Sequence, residues 1–226
     1  MNPTFTIAHC DLVSDLLQQL LEGNSDTHLI VCASRAEFLV QLTAAIHLPR
    51  ADPDTITSHS LLTKTIGLLA RSSKIRLAFC PSLESLRAYL AVLSPAVEMT
   101  TEDGSLSHDR QLLAVLDMMA MHVTTSEFSA QGLSRTLASV VEASSRARMN
   151  LRLYECMNAL DPSSVVRGSK LWDVNVPLLN GSVRMRSDQG TWGGRGVTVK
   201  RVAQRWFEFD QNQNTLNAEN RHDIVT

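Results

Sequence analysis

Strand-length apolar runs alternate with amphipathic stretches at helical spacing, and this alternation constrains the fold more than any other feature of the chain. "HLIVCA" precedes "AEFLVQLTAAIHL", "KIRLAFC" precedes "LESLRAYLAVL", and "QLLAVLDMMAMH", read as a central strand, precedes "SAQGLSRTLASVVEASSRARM"; "NLRLYEC" then supplies a further strand. Unbroken apolar runs suit strands buried on both faces, and strands joined by helices build a mostly parallel sheet covered on both sides. An α/β fold is therefore expected.

The helical stretches carry their apolar residues on one stripe: Leu12, Leu16, Leu17, Leu20 and Leu21 ahead of Gly23, then Phe38, Leu39, Leu42, Ala45 and Ile46. Leu62, Ile66, Leu69 and Ala70 form another stripe, as do Leu83, Leu86, Tyr89, Leu90 and Leu93 behind Ser82 as a cap, and Leu133, Leu137, Val140 and Val141. "PRADPDTITSH" reads as a linker and "SPAVEMTTEDGSLSHD" as an exposed loop. The C-terminal third changes character. "KLWDVNVPLLNGSVRMRS" and "RGVTVKRVAQRWFEFD" read as β-rich, with Asn180-Gly181 as a hairpin signal and Thr198 and Lys200 alternating with Val197 and Val199. The expected organisation is a single domain over 1–210: an N-terminal helix in 1–24, an α/β core over 25–160 and a β-rich part over 170–210. A polar tail over 211–226 has the composition of a disordered segment.

The 226 residues can bury one substantial core without metals or disulfides. A formal net charge of -2 supplies no global basic field, so any nucleic-acid contact must be local. No apolar run approaches the roughly 20 residues that cross a bilayer, so no membrane partner is expected. "MNPTFTIAHCDLVSD" lacks the basic and apolar regions of a secretory signal, which points to an intracellular protein. Cys10, Cys32, Cys80 and Cys156 form no CxxC pair and read as buried free thiols.

The turn "CASRAEFL" follows a strand and opens a helix, the position of a phosphate-binding loop. A working loop needs glycines whose amides wrap the phosphates, a lysine for the outer phosphates and a Ser or Thr for magnesium. This turn offers Ser34 and Arg35 only, so a tight strand-to-helix connection without ligand is the favoured physical reading. Asp117, closing "LLAVLD", stands where an NTPase places the acid that orients magnesium; it serves equally as a helix cap or hydrogen-bond acceptor. Glu84 occupies the place of a water-polarising base and is more simply a first-turn acid. No histidine pair has metal-ligand spacing and no GxSxG elbow accompanies the serines, so neither a metal site nor a hydrolase triad is expected.

Arg184, Arg186, Arg195, Lys200, Arg201 and Arg205 gather near Trp192 and Trp206, a pattern that grips a sugar–phosphate backbone. The alternative is a solvated edge with packed tryptophans, and strand alternation sends Lys200 and Arg201 to opposite faces. Arg146, Arg148 and Arg152 cluster at a helix end, where cations suit the dipole. Met118, Met119 and Met121 suit either core packing, the stronger reading, or a partner surface.

In their order, "LIVCASRAEFLVQL", "KIRLAFCPSLESLRAYLAVL", "LLAVLDMMAMH" and "SRTLASVVEASSRARMNLRLYEC" resemble the elements of RecA-like recombinases, with "LLAVLD" in the place of the Walker B strand. "LWDVNVPLLNGSVRM" and "VTVKRVAQRWFEF" resemble that fold's terminal antiparallel strands, and the likeness covers roughly residues 25–210. The Walker A signature is absent. The resemblance implies a RecA-like sheet sandwiched by helices, with Ser34, Arg35 and Asp117 as remnants of a nucleotide site, no catalytic residue and no cofactor. It further implies a non-catalytic subunit of the kind found among Shu-type recombination mediators: nuclear, with the cytoplasm as alternative, and assembled with RecA-like partner subunits in a hetero-oligomer. Such a subunit assists recombinase filament assembly or contacts single-stranded DNA. Two other readings stay open: an accessory subunit of an Elongator-type ring that binds transfer RNA, and an NTPase completed in trans by a partner.

Overall fold

The computed structural model describes residues 3–23, 25–48, 59–93, 110–180 and 196–210. In chain order its elements are β1 (Phe5–Ala8), α1 (Val13–Glu22), β2 (Thr27–Val31), α2 (Arg35–His47), α3 (Ile66–Ser72), β3 (Ile75–Phe79), α4 (Leu83–Val92) and β4 (Leu112–Leu116). There follow α5 (Met118–His122), α6 (Ala130–Arg146), β5 (Asn150–Tyr154), β6 (Asn175–Val176), β7 (Val197–Thr198), α7 (Val199–Ala203) and β8 (Glu208–Phe209). Six strands form one sheet in the order β3-β2-β4-β5-β1-β8, and every neighbouring pair is parallel. β6 and β7 make a separate antiparallel pair, Asn175 opposite Thr198 and Val176 opposite Val197. The α/β class with helices on both faces follows the alternation in the sequence.

Because successive side chains point to opposite faces, each strand feeds two cores. Leu29, Val31, Leu116 and Tyr154 pack on one face with Leu16 and Leu20 of α1 and Phe38 and Ala45 of α2. Ile30, Leu113, Val115, Leu151 and Leu153 pack on the other with Leu86 and Leu90 of α4, Leu133, Leu137 and Val140 of α6, and Val202 of α7. Ser82 and Ser129 start α4 and α6 by accepting the Ser85 and Gly132 amides. Truncating a fully buried leucine such as Leu86 or Leu137 to alanine costs roughly 2–5 kcal/mol.

Several expectations are corrected. "FTIA", assigned to a helical N-terminal region, is β1, inserted between β5 and β8, so the sheet begins at Phe5 rather than after residue 25. A run of four residues is too short for periodicity to declare, and only its parallel partners on both sides make it a strand. "QLLAVLDMMAMH" is not one strand. β4 ends at Leu116, Asp117 turns the chain at φ 58°, and Met118–His122 is helical. Met118 and Met119 are fully buried in the core, and Met121 is half-buried.

"VTVKRVA" breaks the expected strand alternation because Thr198 accepts the Arg201 amide at 3.2 Å and starts α7. The following strand, β8, runs parallel to β1 rather than antiparallel. The stripe on α3 does not face the core: Ile66 is 89% and Leu69 72% exposed, since α3 leans on α1 at the margin of the fold instead of on the sheet. Cys32, Cys80 and Cys156 are buried free thiols as expected, while Cys10 is half-buried. No described helix is long and apolar enough to cross a membrane. Most of the expected linker, the loop after α4, Gly181 of the hairpin signal and the tail lie outside the described residues.

Candidate functional site

The connection after β2 leads outward to β3, whereas that after β4 leads the other way to β5. Neighbouring strands whose connections diverge leave a crevice at their carboxyl ends, where ligands of open α/β sheets bind. Here a cleft of about 580 Å³ opens there, lined by Cys32, Glu37, Asp117, Met121, Met157 and Arg167 among others.

Ser34, between the lining residues Ala33 and Ala36, is employed as a helix cap. Its Oγ accepts the Glu37 amide at 3.2 Å, and the Glu37 carboxylate accepts the Ser34 amide at 2.8 Å. These bonds from Ser34 hold the Glu37 carboxyl below its ordinary range. Arg35, one residue on, is exposed.

Asp117 sits at the floor, 7% exposed, in the left-handed region that aspartate tolerates better than most residues. Its Oδ1 accepts the Cys156 amide at 3.0 Å and its Oδ2 is ion-paired with Arg167. Gly168 makes that pair possible. At φ +63° it turns the chain directly after Arg167, and a Cβ there would come within 3.0 Å of the Met157 backbone. The Arg167 Nε–H is buried without a hydrogen-bond partner, so the guanidinium is held chiefly by its contact with Asp117.

Behind Asp117 lies Glu155, also buried, whose Oε1 accepts the Met119 amide at 2.5 Å and whose Oε2 accepts the Ala120 amide at 3.2 Å. Burial, reinforced by the Asp117 charge, pushes the Glu155 carboxyl up to about 8, so it carries a proton at neutral pH. Burial also raises Asp117, against the opposing charge of Arg167. Cys32 is pushed well up by burial and then by Glu155, so its thiol stays protonated and is no nucleophile. The site is a closed polar knot: two buried carboxyl groups, each of whose oxygens meets a group of the chain.

Of Ser34, Arg35 and Asp117 only Asp117 lines the cleft, and neither the serine hydroxyl nor either Asp117 oxygen is left unengaged. Sequence reasoning missed Arg167 and Glu155. Glu155 carried the signal that had drawn attention to Asp117, an acid closing an apolar strand; Arg167 carried none beyond the isolated glycine after it. Glu84 is exposed in the first turn of α4, where hydrogen bonds from its own amide and then from the Ser82 side chain depress its carboxyl, as expected of an acid at a helix start. Among the described residues no cluster of His, Cys, Asp or Glu has the geometry to hold a metal ion.

The basic residues near the C-terminus separate. Arg184, Arg186 and Arg195 lie outside the described residues. Lys200 stands over the Phe209 ring at 5.4 Å, whereas Arg201 and Arg205, one helical turn apart, line a different hollow of about 420 Å³ with Ser134 and Leu178. Both arginines are exposed.

The chain belongs to the SPAC22G7.03-like family, whose model matches residues 7–217. No curated protein matches it.

Proposed function

We propose that this chain is a non-catalytic subunit with a RecA-like core that works within a DNA recombination and repair complex, assisting filament assembly together with RecA-like partner subunits. The observation that carries the reading is the engagement of Asp117: Arg167 and the Cys156 amide occupy the two oxygens that a magnesium-orienting acid would need. Together with a turn that lacks glycine and lysine and a Ser34 committed to its helix, the cleft keeps the strand–turn–helix geometry without ligands for a phosphate chain. The specific assignment to recombination rests on the resemblance of the element order. Of the basic residues expected to contact single-stranded DNA, the described ones are Lys200 and Arg201 of α7 and Arg205 just after it, all exposed.

The test is purification of the full chain with its bound partners, followed by ATP turnover and nucleic-acid binding by the resulting complex. Copurifying RecA-like subunits, turnover that persists in Asp117→Ala, and a preference for single-stranded DNA over transfer RNA are the expected results. Turnover that depends on Asp117 would instead make this chain an NTPase completed in trans, and a transfer RNA preference would place it in an RNA-modifying assembly.

A further inference from the structure

All four cysteines stand just past the carboxyl ends of strands, and the register sets them in two neighbouring pairs. Val31 lies opposite Phe79, so Cys32 and Cys80 follow side by side, and both pack in the core under α4 and α6. Ala8 lies opposite Tyr154, which brings Cys10 and Cys156, each two residues further on, to the same end of two adjacent strands. Both of these pack in the core on the face that carries α1. Neighbouring strands are about 4.8 Å apart, a separation that a disulfide spans.

The two pairs differ in restraint and in access. The Cys32 and Cys80 amides are held by the ladder, donating to the Leu116 carbonyl at 2.9 Å and the Val31 carbonyl at 2.8 Å, and both thiols are buried. Cys10 and Cys156 lie beyond the last paired residues of β1 and β5, where the ladder no longer dictates their geometry. Directly after them the Met157 amide donates to the Asp11 carbonyl at 2.8 Å, which clamps the two segments together. Cys156 is buried, whereas Cys10 is half-buried, so one thiol of this pair meets solvent. The two side chains interact: a hydrogen bond with Cys10, ahead of burial, raises the Cys156 thiol well above its ordinary range.

We propose that Cys10 and Cys156 form a reversible disulfide site, closed by a peroxide and reopened by a dithiol reductant. Cys10, the accessible member, attacks hydrogen peroxide as its thiolate, takes one oxygen to become a sulfenic acid and releases one water. The Cys156 sulfur then attacks the Cys10 sulfur, and the displaced hydroxide leaves with the Cys156 proton as a second water. Two thiols thus lose two electrons and two protons, and the peroxide is reduced to two waters. Exchange with a dithiol reverses the bond. Cys156 is suited to the second step because it stays a protonated thiol, inert towards the oxidant, until Cys10 has been converted beside it. The bridge ties the end of β1 to the end of β5 across a long loop, which restricts the unfolded chain and so stabilises the fold. The site rests on the cysteines alone and is independent of the role proposed in recombination.

The experiment treats the full-length chain with equimolar hydrogen peroxide, unfolds it in iodoacetamide and digests it without reductant for mass spectrometry. Cleavage after glutamate leaves the four cysteines in four separate peptides. The expected product is a monomer lighter by two hydrogens, with the Cys10 peptide linked to the Cys156 peptide, Cys32 and Cys80 alkylated, and full reversal by dithiothreitol. Its melting temperature should exceed that of the reduced chain by several degrees. Cys10→Ser, at the half-buried position, should abolish both changes; Cys156→Ser should instead leave Cys10 as a sulfenic acid that dimedone traps. Linkage of Cys10 to another cysteine or to a second chain would overturn the proposal. So would over-oxidation of Cys10 while Cys156 remains alkylatable, or peroxide that leaves all four thiols free.

Discussion

The two ends of the parallel sheet handle buried polarity in opposite ways. At the carboxyl ends, Asp117 and Glu155 are buried as a pair and every carboxylate oxygen is met by Arg167 or by a backbone amide. At the amino ends, the same sheet face carries Thr6, Thr27, Asn150 and Arg152 around a cavity of about 200 Å³, with the Tyr154 hydroxyl buried beside Arg152. In an interior of low dielectric, a network with its acceptors filled rigidifies the chain, whereas an unfilled one is costly unless something completes it. At the carboxyl ends, the usual binding position of an α/β sheet, the buried acids are thus matched by groups of the chain itself.

Breaking the knot at the carboxyl ends should cost most. Arg167→Met strands the buried Asp117 carboxylate and should reduce stability in urea unfolding by about 3 kcal/mol or more. Asp117→Asn is milder, about 1–3 kcal/mol. Asparagine tolerates the left-handed backbone and still accepts the Cys156 amide, while the paired charge is lost. If Asp117→Asn costs as much as Arg167→Met, the knot is not organised around that ion pair.

Glu155 sharpens the same contrast through pH. Its folded-state carboxyl is raised to about 8 from an ordinary 4.5, so between those values the native state binds the proton that the unfolded chain has released. Stability should then fall as pH rises through that window, by up to about 1.4 kcal/mol per pH unit. Glu155→Gln should flatten this slope and cost about 1–3 kcal/mol at pH 7, because its NH2 group faces one of the two backbone amides that the carboxyl oxygens accept. A slope unchanged in the variant would assign it to other groups.

Smaller effects separate capping from ligand binding. Ser34→Ala should cost about 1 kcal/mol as the loss of a helix cap. A markedly larger loss would mean that Ser34 does more than start α2. Tyr154→Phe, which removes a buried hydroxyl beside Arg152, should cost about 1 kcal/mol or less.

Much of the architecture was legible because hydrophobic period is a local property. The stripes of α4 and α6 and the apolar runs of β2, β4 and β5 fell where expected, and all five are buried in the sheet's two cores. β1 was not legible, since four residues carry too little pattern; nor was α7, where a single threonine cap overrode alternation. Periodicity misled at α3. Leu69 has the spacing of a core residue, but spacing cannot tell which element arrives to cover it.

The sites divide along the same line. That a strand–turn–helix without glycine or lysine follows β2, and that an acid closes β4, can be read from neighbouring residues alone. That Arg167, fifty residues after Asp117, pairs with that acid, and that Thr6 and Arg152 lie side by side on the sheet, follows from the way the chain packs. Parallel strands lie side by side only after long crossovers, so which side chains meet at either end of the sheet is set by strand order and register. Neither is written in any one segment of the chain.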